Sequence, residues 1–291
     1  MKPSTSHFVP VRGLRYHVRT WGRPDAPVLV ALHGWMDVSA SFQFLVDALQ
    51  GDWHVVAPDW RGFGLTDWAA DGYWFADYLA DLDVLLDHWS PGRPANVLGH
   101  SMGGNVLGLY AGIRPERIGR MMLAEGFGLK PTRPEQAPDR YAKWLDQVRR
   151  DEAGFRAYAS LAEVAARLRK NNPRLSEDKA RFLAPHWSMT RADGSLVPAA
   201  DPRHRHTNPV LYRQEEVLAC WSRATAPALW IWGGDPDWMK QFAGDDADDW
   251  ARRRSAFRIR RECTIPESGH MLHHDQPEAL AREIEAFLAS A

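Results

Sequence analysis

Residues 96–112 read NVLGHSMGGNVLGLYAG. Gly99-His100-Ser101-Met102-Gly103 fits the pattern G-x-S-x-G, which as a bare match is weak in a chain with 22 glycines. The flanks carry more. Ala95-Asn96-Val97-Leu98 reads as a short buried strand, and Val106, Leu107, Leu109, Tyr110 and Ile113 suit a helix packed on a sheet. A strand-to-helix turn this tight strains its central residue and leaves room only for small neighbours. It lifts the serine hydroxyl above the sheet and aims the first amides of the next helix at whatever that hydroxyl attacks. The competing reading is an ordinary turn between a strand and a helix. The rest of the chain has to decide between them.

Working outward, Phe8–Val11 and Leu14–Trp21 alternate around Gly13 as a hairpin. Val28–Leu32 and His54–Ala57 are continuous apolar runs, as expected of strands buried on both faces. A helix is expected near Ala40–Leu49, and a longer one over about Trp74–Trp89 with Tyr78, Leu82, Leu85, Leu86 and Trp89 on one face. Ile118–Ala124, Ala228–Trp232 and Phe257–Ile265 are further strands. Helices are expected near Asp246–Arg254 and over Pro277–Ala289. An antiparallel start followed by repeated strand-helix units implies a mostly parallel eight-stranded sheet with helices on both faces, an α/β protein. Between Gly126 and Ala224 the alternation lapses. Ala137–Arg150 and Ser160–Arg169 look helical, and Asp193–Asn208 looks like loop. The expected division is therefore a core of 1–125 and 225–291 carrying a mainly helical insertion over 126–224.

In parallel sheets, ligands bind beyond the carboxyl ends of the strands. Catalytic residue types gather at those ends here. His33-Gly34-Trp35 follows the third strand, Ser101 the fifth and Glu125 the sixth. Asp235 and Asp237 follow the seventh, and Ser268-Gly269-His270 the eighth. A serine hydroxyl is a weak nucleophile. It needs a base to take its proton, a carboxylate to fix that base's tautomer, and preorganised amides for the oxyanion.

With these residues in place, the chain resembles the α/β-hydrolase superfamily over nearly its whole length. HGW at 33–35, PDWRGFG at 58–64, GHSMGG at 99–104, PALWIWGG at 227–234 and SGHMLHHDQPE at 268–278 follow the family's order and spacing. The resemblance implies an α/β-hydrolase fold with a cap over the site. It implies Ser101 as nucleophile, His270 as general base and then general acid, and the amides of Trp35 and Met102 as the oxyanion hole. His33 is expected to brace its loop, and His100 to pack against or hydrogen-bond its neighbours.

The acid is open among three residues. Family members usually place it three residues after the glycine ending the seventh strand, which fits Asp237 if Gly234 is that glycine; Asp235 falls short of the position. A second arrangement places it after the sixth strand, at Glu125. A carboxylate at the end of an apolar strand is costly unless paired, so Glu125 is expected to have a partner. Glu125 and Asp237 rank nearly level, with Asp235 third.

The remaining features set limits. The net charge of −1 gives no electrostatic case for nucleic acid or an anionic membrane. No apolar run approaches the ~20 residues a membrane span needs, and no secretory signal is read at the start. Cys220 and Cys263 form neither a metal pattern nor a disulfide framework, so a cytoplasmic setting is expected. His273 and His274 follow His270 closely, but with no H-E-x-x-H pattern no metal and no cofactor are expected. Arg203-His204-Arg205-His206 reads as a solvated loop. A serine rather than an aspartate nucleophile argues against epoxide hydrolysis and dehalogenation. Trp144, Trp187, Trp221 and Tyr212, within the expected cap, suggest an apolar substrate. The expected function is a carboxylesterase acting on a small-to-medium hydrophobic ester. A lactone or carbon–carbon bond hydrolase and a non-catalytic ligand-binding homologue are the alternatives.

Overall fold

The computed structural model describes residues 1–150, 154–235 and 237–290. A hairpin of β1 (Ser4–Val11) and β2 (Leu14–Trp21) opens the chain. Then come β3 (Val28–Leu32), α1 (Gln43–Ala48), β4 (His54–Pro58), α2 (Phe75–Trp89), β5 (Ala95–His100), α3 (Met102–Ile113) and β6 (Ile118–Ala124). The middle of the chain holds α4 (Ala137–Arg150), α5 (Leu161–Asn171), α6 (Glu177–Trp187), the small hairpin β7 (Ser188–Thr190) and β8 (Leu196–Pro198), and α7 (Gln214–Trp221). The chain closes with β9 (Ala228–Gly233), α8 (Asp237–Ala243), α9 (Ala247–Ala256), β10 (Ile259–Ile265), α10 (Leu272–Asp275) and α11 (Pro277–Ala289).

The main sheet has eight strands in the order β1-β2-β4-β3-β5-β6-β9-β10. β2 pairs antiparallel with β1 and β4, and the other neighbours are parallel. From β3 the chain steps to one side as β4, then crosses back to the other side as β5. The carboxyl ends of β3 and β5 therefore flank a switch point, where a crevice opens above the sheet.

Strand residues alternate between two cores, one on each face. Val30, Leu32, Val97, Met121, Leu123, Ala228 and Trp230 pack with Leu82 and Leu86 of α2, Leu107 and Tyr110 of α3, and Trp221 of α7. Their neighbours Leu29, Ala31, Leu98, Met122, Ala124, Leu229 and Ile231 pack with Leu45 of α1 and with Leu280, Ile284 and Phe287 of α11. This is the period-two pattern of a strand buried on both faces, which explains the unbroken apolar runs.

Segment 126–224 divides by packing. Val164, Leu168, Leu175, Ala180 and Leu183 form a small core of their own, whereas Val217 and Trp221 of α7 belong to the main core. A Cβ on Gly112 of α3 would sit 1.7 Å from the Cys220 carbonyl oxygen, so α7 lies directly on α3. Residues 151–153 of the expected insertion lie outside the described residues. His273 and His274 sit in the short α10, and Pro277 starts a separate helix after Gln276. A proline at the first helical position has no amide to lose and is a natural start.

Candidate active site

The turn after β5 has the strain its sequence implies. Ser101 sits at φ 52°, ψ −116° between β5 and α3. A Cβ on Gly99 would lie 2.5 Å from the Gly103 carbonyl oxygen, and one on Gly103 would lie 2.2 Å from that of Leu32. Neither position admits a side chain, so the two glycines of the motif are forced by close approach of backbone. Met102 is the first residue of α3, and its amide has no carbonyl one turn back within the helix. Five non-glycine residues have positive φ among the described residues: Arg12, Met36, Ser101, Glu125 and Glu267. The last four follow β3, β5, β6 and β10. Such conformations cost on the order of 1–3 kcal/mol each and gather at functional sites. Here they gather along one edge of the sheet.

Glu125 leaves β6 at φ 55° and is buried. Its backbone amide donates to the Ile231 carbonyl at 3.1 Å, continuing the β6–β9 pairing by one residue. Its Oε1 accepts the Gly233 amide at 2.6 Å, and its Oε2 lies 3.3 Å from His270 Nδ1. That is the long end of a hydrogen bond, and catalytic contacts often tighten only with substrate in place. The amide of Ser101 donates to the Ala124 carbonyl at 2.9 Å, so nucleophile turn and carboxylate hang from adjacent strand ends. Asp235 and Asp237 are placed differently. Asp235 pairs with Arg174 at 3.4 Å and is half exposed. The Asp237 side chain is 88 % exposed and faces Lys240 at 3.7 Å.

The loop bearing His270 is tied from several sides. Ser268 Oγ donates to the Ile265 carbonyl at 2.8 Å, the Asp235 amide donates to the Ser268 carbonyl at 3.0 Å, and the Gly269 amide donates to Asp275 Oδ2 at 2.9 Å. His100 Nε2 donates to the His270 carbonyl at 2.7 Å, which makes His100 a hydrogen-bonding neighbour of the base. His33 Nδ1 donates to the Gly34 carbonyl at 2.7 Å, while its Nε2 accepts the Trp60 amide at 2.9 Å. Burial lowers the His33 pKa, as suits a ring that must keep that acceptor. His33 thus joins the loop after β3 to the loop after β4.

Asp59 joins the same loops from below. Its carboxylate accepts the Ser39 amide at 2.6 Å, His17 Nδ1 at 2.7 Å and the Leu65 amide at 3.0 Å. Burial pushes its pKa up, but the hydrogen bond and charge of His17 together with the Leu65 amide outweigh burial and bring it to about 2. A depressed carboxyl stabilises the fold above its unfolded value near ~3.9, and that stabilisation fades as pH falls towards about 2. Asp59→Asn is expected to cost about 2 kcal/mol at neutral pH, roughly 5 °C in Tm. Melting curves should show the gap between variant and wild type narrowing from pH 5 to pH 3. A gap independent of pH would contradict the assignment.

Above the strand ends lies a cavity of about 410 Å³, reaching the turn at Met102 and Trp35. Tyr73, Trp74, Phe75 and Trp144 give it an aromatic wall. Of the four aromatics expected in the cap, Trp144 lines this cavity. Trp187 Nε1 instead donates to the Met36 carbonyl at 2.8 Å. Trp221 is buried in the main core, and Tyr212 crowds Gly128 beside it. The run 203–206 is not a solvated loop. Arg203 binds Asp201 and the carbonyls of Ala69 and Ala70, and His204 stacks on Phe63 with ring centroids 3.9 Å apart. Burial lowers the His204 pKa to about 3, so it lines the cavity as a neutral ring. Apart from Arg203–Asp201, these contacts join residues more than a hundred positions apart, which no local pattern reveals. Arg253 is a second such case. Fully buried, it donates to the carbonyls of Phe127, Leu129 and Ala243 and fixes the chain just beyond Glu125.

Comparison with known proteins agrees with this fold. A serine hydrolase-like protein of Danio rerio is 29% identical over 99% of this chain and 90% of its own length. Among solved structures, the thioesterase domain from the curacin biosynthetic pathway superposes with a TM-score of 0.84 at 23% identity, covering 97% of this chain and 99% of that one. An esterase from Mycobacterium tuberculosis superposes with a TM-score of 0.73 at 20% identity, covering 99% and 92%. At those identities the structures speak to the fold alone. No helix among the described residues is long and apolar enough to cross a membrane. The α/β-hydrolase fold family model matches residues 27–277, and with its sheet order and strained turn at Ser101 the chain belongs to that family.

Proposed function

We propose that the chain hydrolyses carboxylic esters of small-to-medium hydrophobic substrates through an acyl-enzyme on Ser101. The observation that carries this reading is the pairing of His270 Nδ1 with a buried carboxylate, Glu125 Oε2, beside the turn that presents Ser101. Glu125 holds the His270 proton on Nδ1, leaving Nε2 as the base. Nε2 takes the Ser101 hydroxyl proton as Oγ attacks the ester carbonyl carbon. The amides of Trp35 and Met102 receive the oxyanion. Collapse breaks the bond to the alcohol oxygen, which leaves with the proton from His270. Water, deprotonated by the same nitrogen, then attacks the acyl carbon, and the acid is released as Ser101 recovers its proton. The name of the Danio rerio relative, a serine hydrolase-like protein, lends support to serine-based hydrolysis as the reaction class.

The aromatic cavity supports the substrate class. Its walls offer stacking and apolar contact. Arg203 is committed to Asp201 and two carbonyls, so it does not supply a free cation for an anionic substrate. Hydrolysis of p-nitrophenyl esters is expected to peak between butyrate and octanoate and to fall steeply at palmitate. A steady rise to palmitate would place the acyl chain outside this cavity. No turnover at any length would set simple esters aside in favour of lactone or carbon–carbon cleavage, or of ligand binding without chemistry.

A further inference from the structure

Behind the nucleophile turn, three buried side chains from distant parts of the chain converge. Asp37 lies in the loop after β3, His100 ends β5 and His273 lies in α10, and they are 5, 2 and 1 % exposed. One oxygen or ring nitrogen from each lies within 4.8 Å of the others. His100 Nε2 faces a carbonyl at 2.7 Å, so it carries the ring hydrogen and Nδ1 presents a bare lone pair. Asp37 Oδ1 accepts the Ser41 hydroxyl, while Oδ2 stands 3.6 Å from His273 Nε2, beyond hydrogen-bonding distance. Among the described residues, Asp37 Oδ2, His100 Nδ1 and both His273 ring nitrogens have no hydrogen-bond partner.

The cluster thus holds more acceptor positions than hydrogens to fill them: Asp37 Oδ2 and His100 Nδ1 offer only lone pairs, and His273 is the one member whose ring can bring a hydrogen to them. Buried acceptors aimed at one another are costly, and a cation with open coordination positions turns that repulsion into bonds. We propose that Asp37, His100 and His273 form a binding site for a divalent transition-metal ion such as Zn²⁺, with water completing the shell. Two imidazole nitrogens and one carboxylate oxygen suit zinc and its neighbours, and do not suit magnesium or calcium. Zinc–nitrogen bonds of about 2.0–2.1 Å at a tetrahedral angle set ligand atoms roughly 3.4 Å apart. The widest edge therefore has to close by little more than about an ångström. The outer contacts are also in place: Ser41 orients the carboxylate, and the His270 carbonyl fixes the His100 ring. The three ligands are scattered over positions 37, 100 and 273, so no spacing motif announces them.

Co²⁺ titration of the chelator-stripped full chain, read by visible d–d absorption and by Tm, tests the site. One equivalent is expected to bind and to raise Tm. His273→Gln and Asp37→Asn should each weaken binding at least tenfold, while His274→Gln and His270→Ala should retain it. X-ray absorption on the cobalt-loaded wild-type chain should count two imidazoles, and it decides the matter even where a variant fails to fold. Absence of binding would mean that the space holds water or a protonated His273, and would overturn the proposal. Binding kept in His273→Gln, whether lost in His270→Ala or kept there too, would overturn it in favour of the Ser101 site or of a surface site.

Discussion

Ser101→Ala is expected to fold as the wild type does and to lose ester turnover by roughly 10⁴–10⁶-fold in kcat/KM. The size of the loss follows from what remains. The amides of Trp35 and Met102 and the aromatic cavity would still bind an ester and polarise its carbonyl, but no oxygen is held where it can attack. His270 would then have only water to activate, at a position shaped for a covalently tethered nucleophile. Stability should hardly change. Ser101 is only partly buried, its position is held by the backbone contacts of Gly99 and Gly103, and alanine meets the same positive φ that serine already bears. Steady-state kinetics on p-nitrophenyl butyrate beside a thermal melt would check both halves. A folded variant within tenfold of wild type would remove Ser101 from the mechanism.

Glu125→Gln should be nearly as damaging, by about 10³–10⁴-fold in kcat, or roughly 4–5 kcal/mol of barrier. The reason is the direction of one hydrogen bond. The Gly233 amide donates to Oε1, so the glutamine oxygen must take that place. The side-chain NH₂ then occupies the Oε2 position and donates to His270 Nδ1. The ring hydrogen is driven onto Nε2, the nitrogen that has to accept the Ser101 proton. Asp237→Asn should stay within about twofold, because that carboxylate is solvated and faces Lys240. The two variants measured side by side separate the two acid positions. A severe loss in Asp237→Asn with a mild one in Glu125→Gln would reverse the proposed assignment.

The fold was legible because each layer of it has a local signature. Leu29 against Val30 and Met122 against Leu123 face opposite cores, which writes doubly buried strands as unbroken apolar runs. Gly99 is dictated by contact within the turn itself and Gly103 by the Leu32 carbonyl of the neighbouring strand, and both fall inside one short motif. Glu125 and Asp237 ranked nearly level because spacing along the chain allows an acid after β6 or after β9. What favours Glu125 is its contact with His270 Nδ1, made over 145 positions, against the solvent exposure of Asp237. α6 escaped notice because Pro185 lies near its end, and α8 because Asp235, Asp237 and a nearby proline read as a turn. Trp221 and Tyr212 looked like cap residues from their place in the middle segment. α7 folds back onto Gly112 of α3, and a glycine that yields to Cys220, 108 positions later, leaves no periodic trace.

The central claim is that Ser101 becomes acylated. The most direct measurement is to quench the wild-type chain with acid during turnover of p-nitrophenyl acetate, or after treatment with a fluorophosphonate, and to map the adduct by peptide mass spectrometry. One acyl or phosphonyl group per chain, on the peptide containing Ser101, is the predicted result, with none in Ser101→Ala and slow formation in Glu125→Gln. Turnover with no adduct, or an adduct on another side chain that persists in Ser101→Ala, would contradict it.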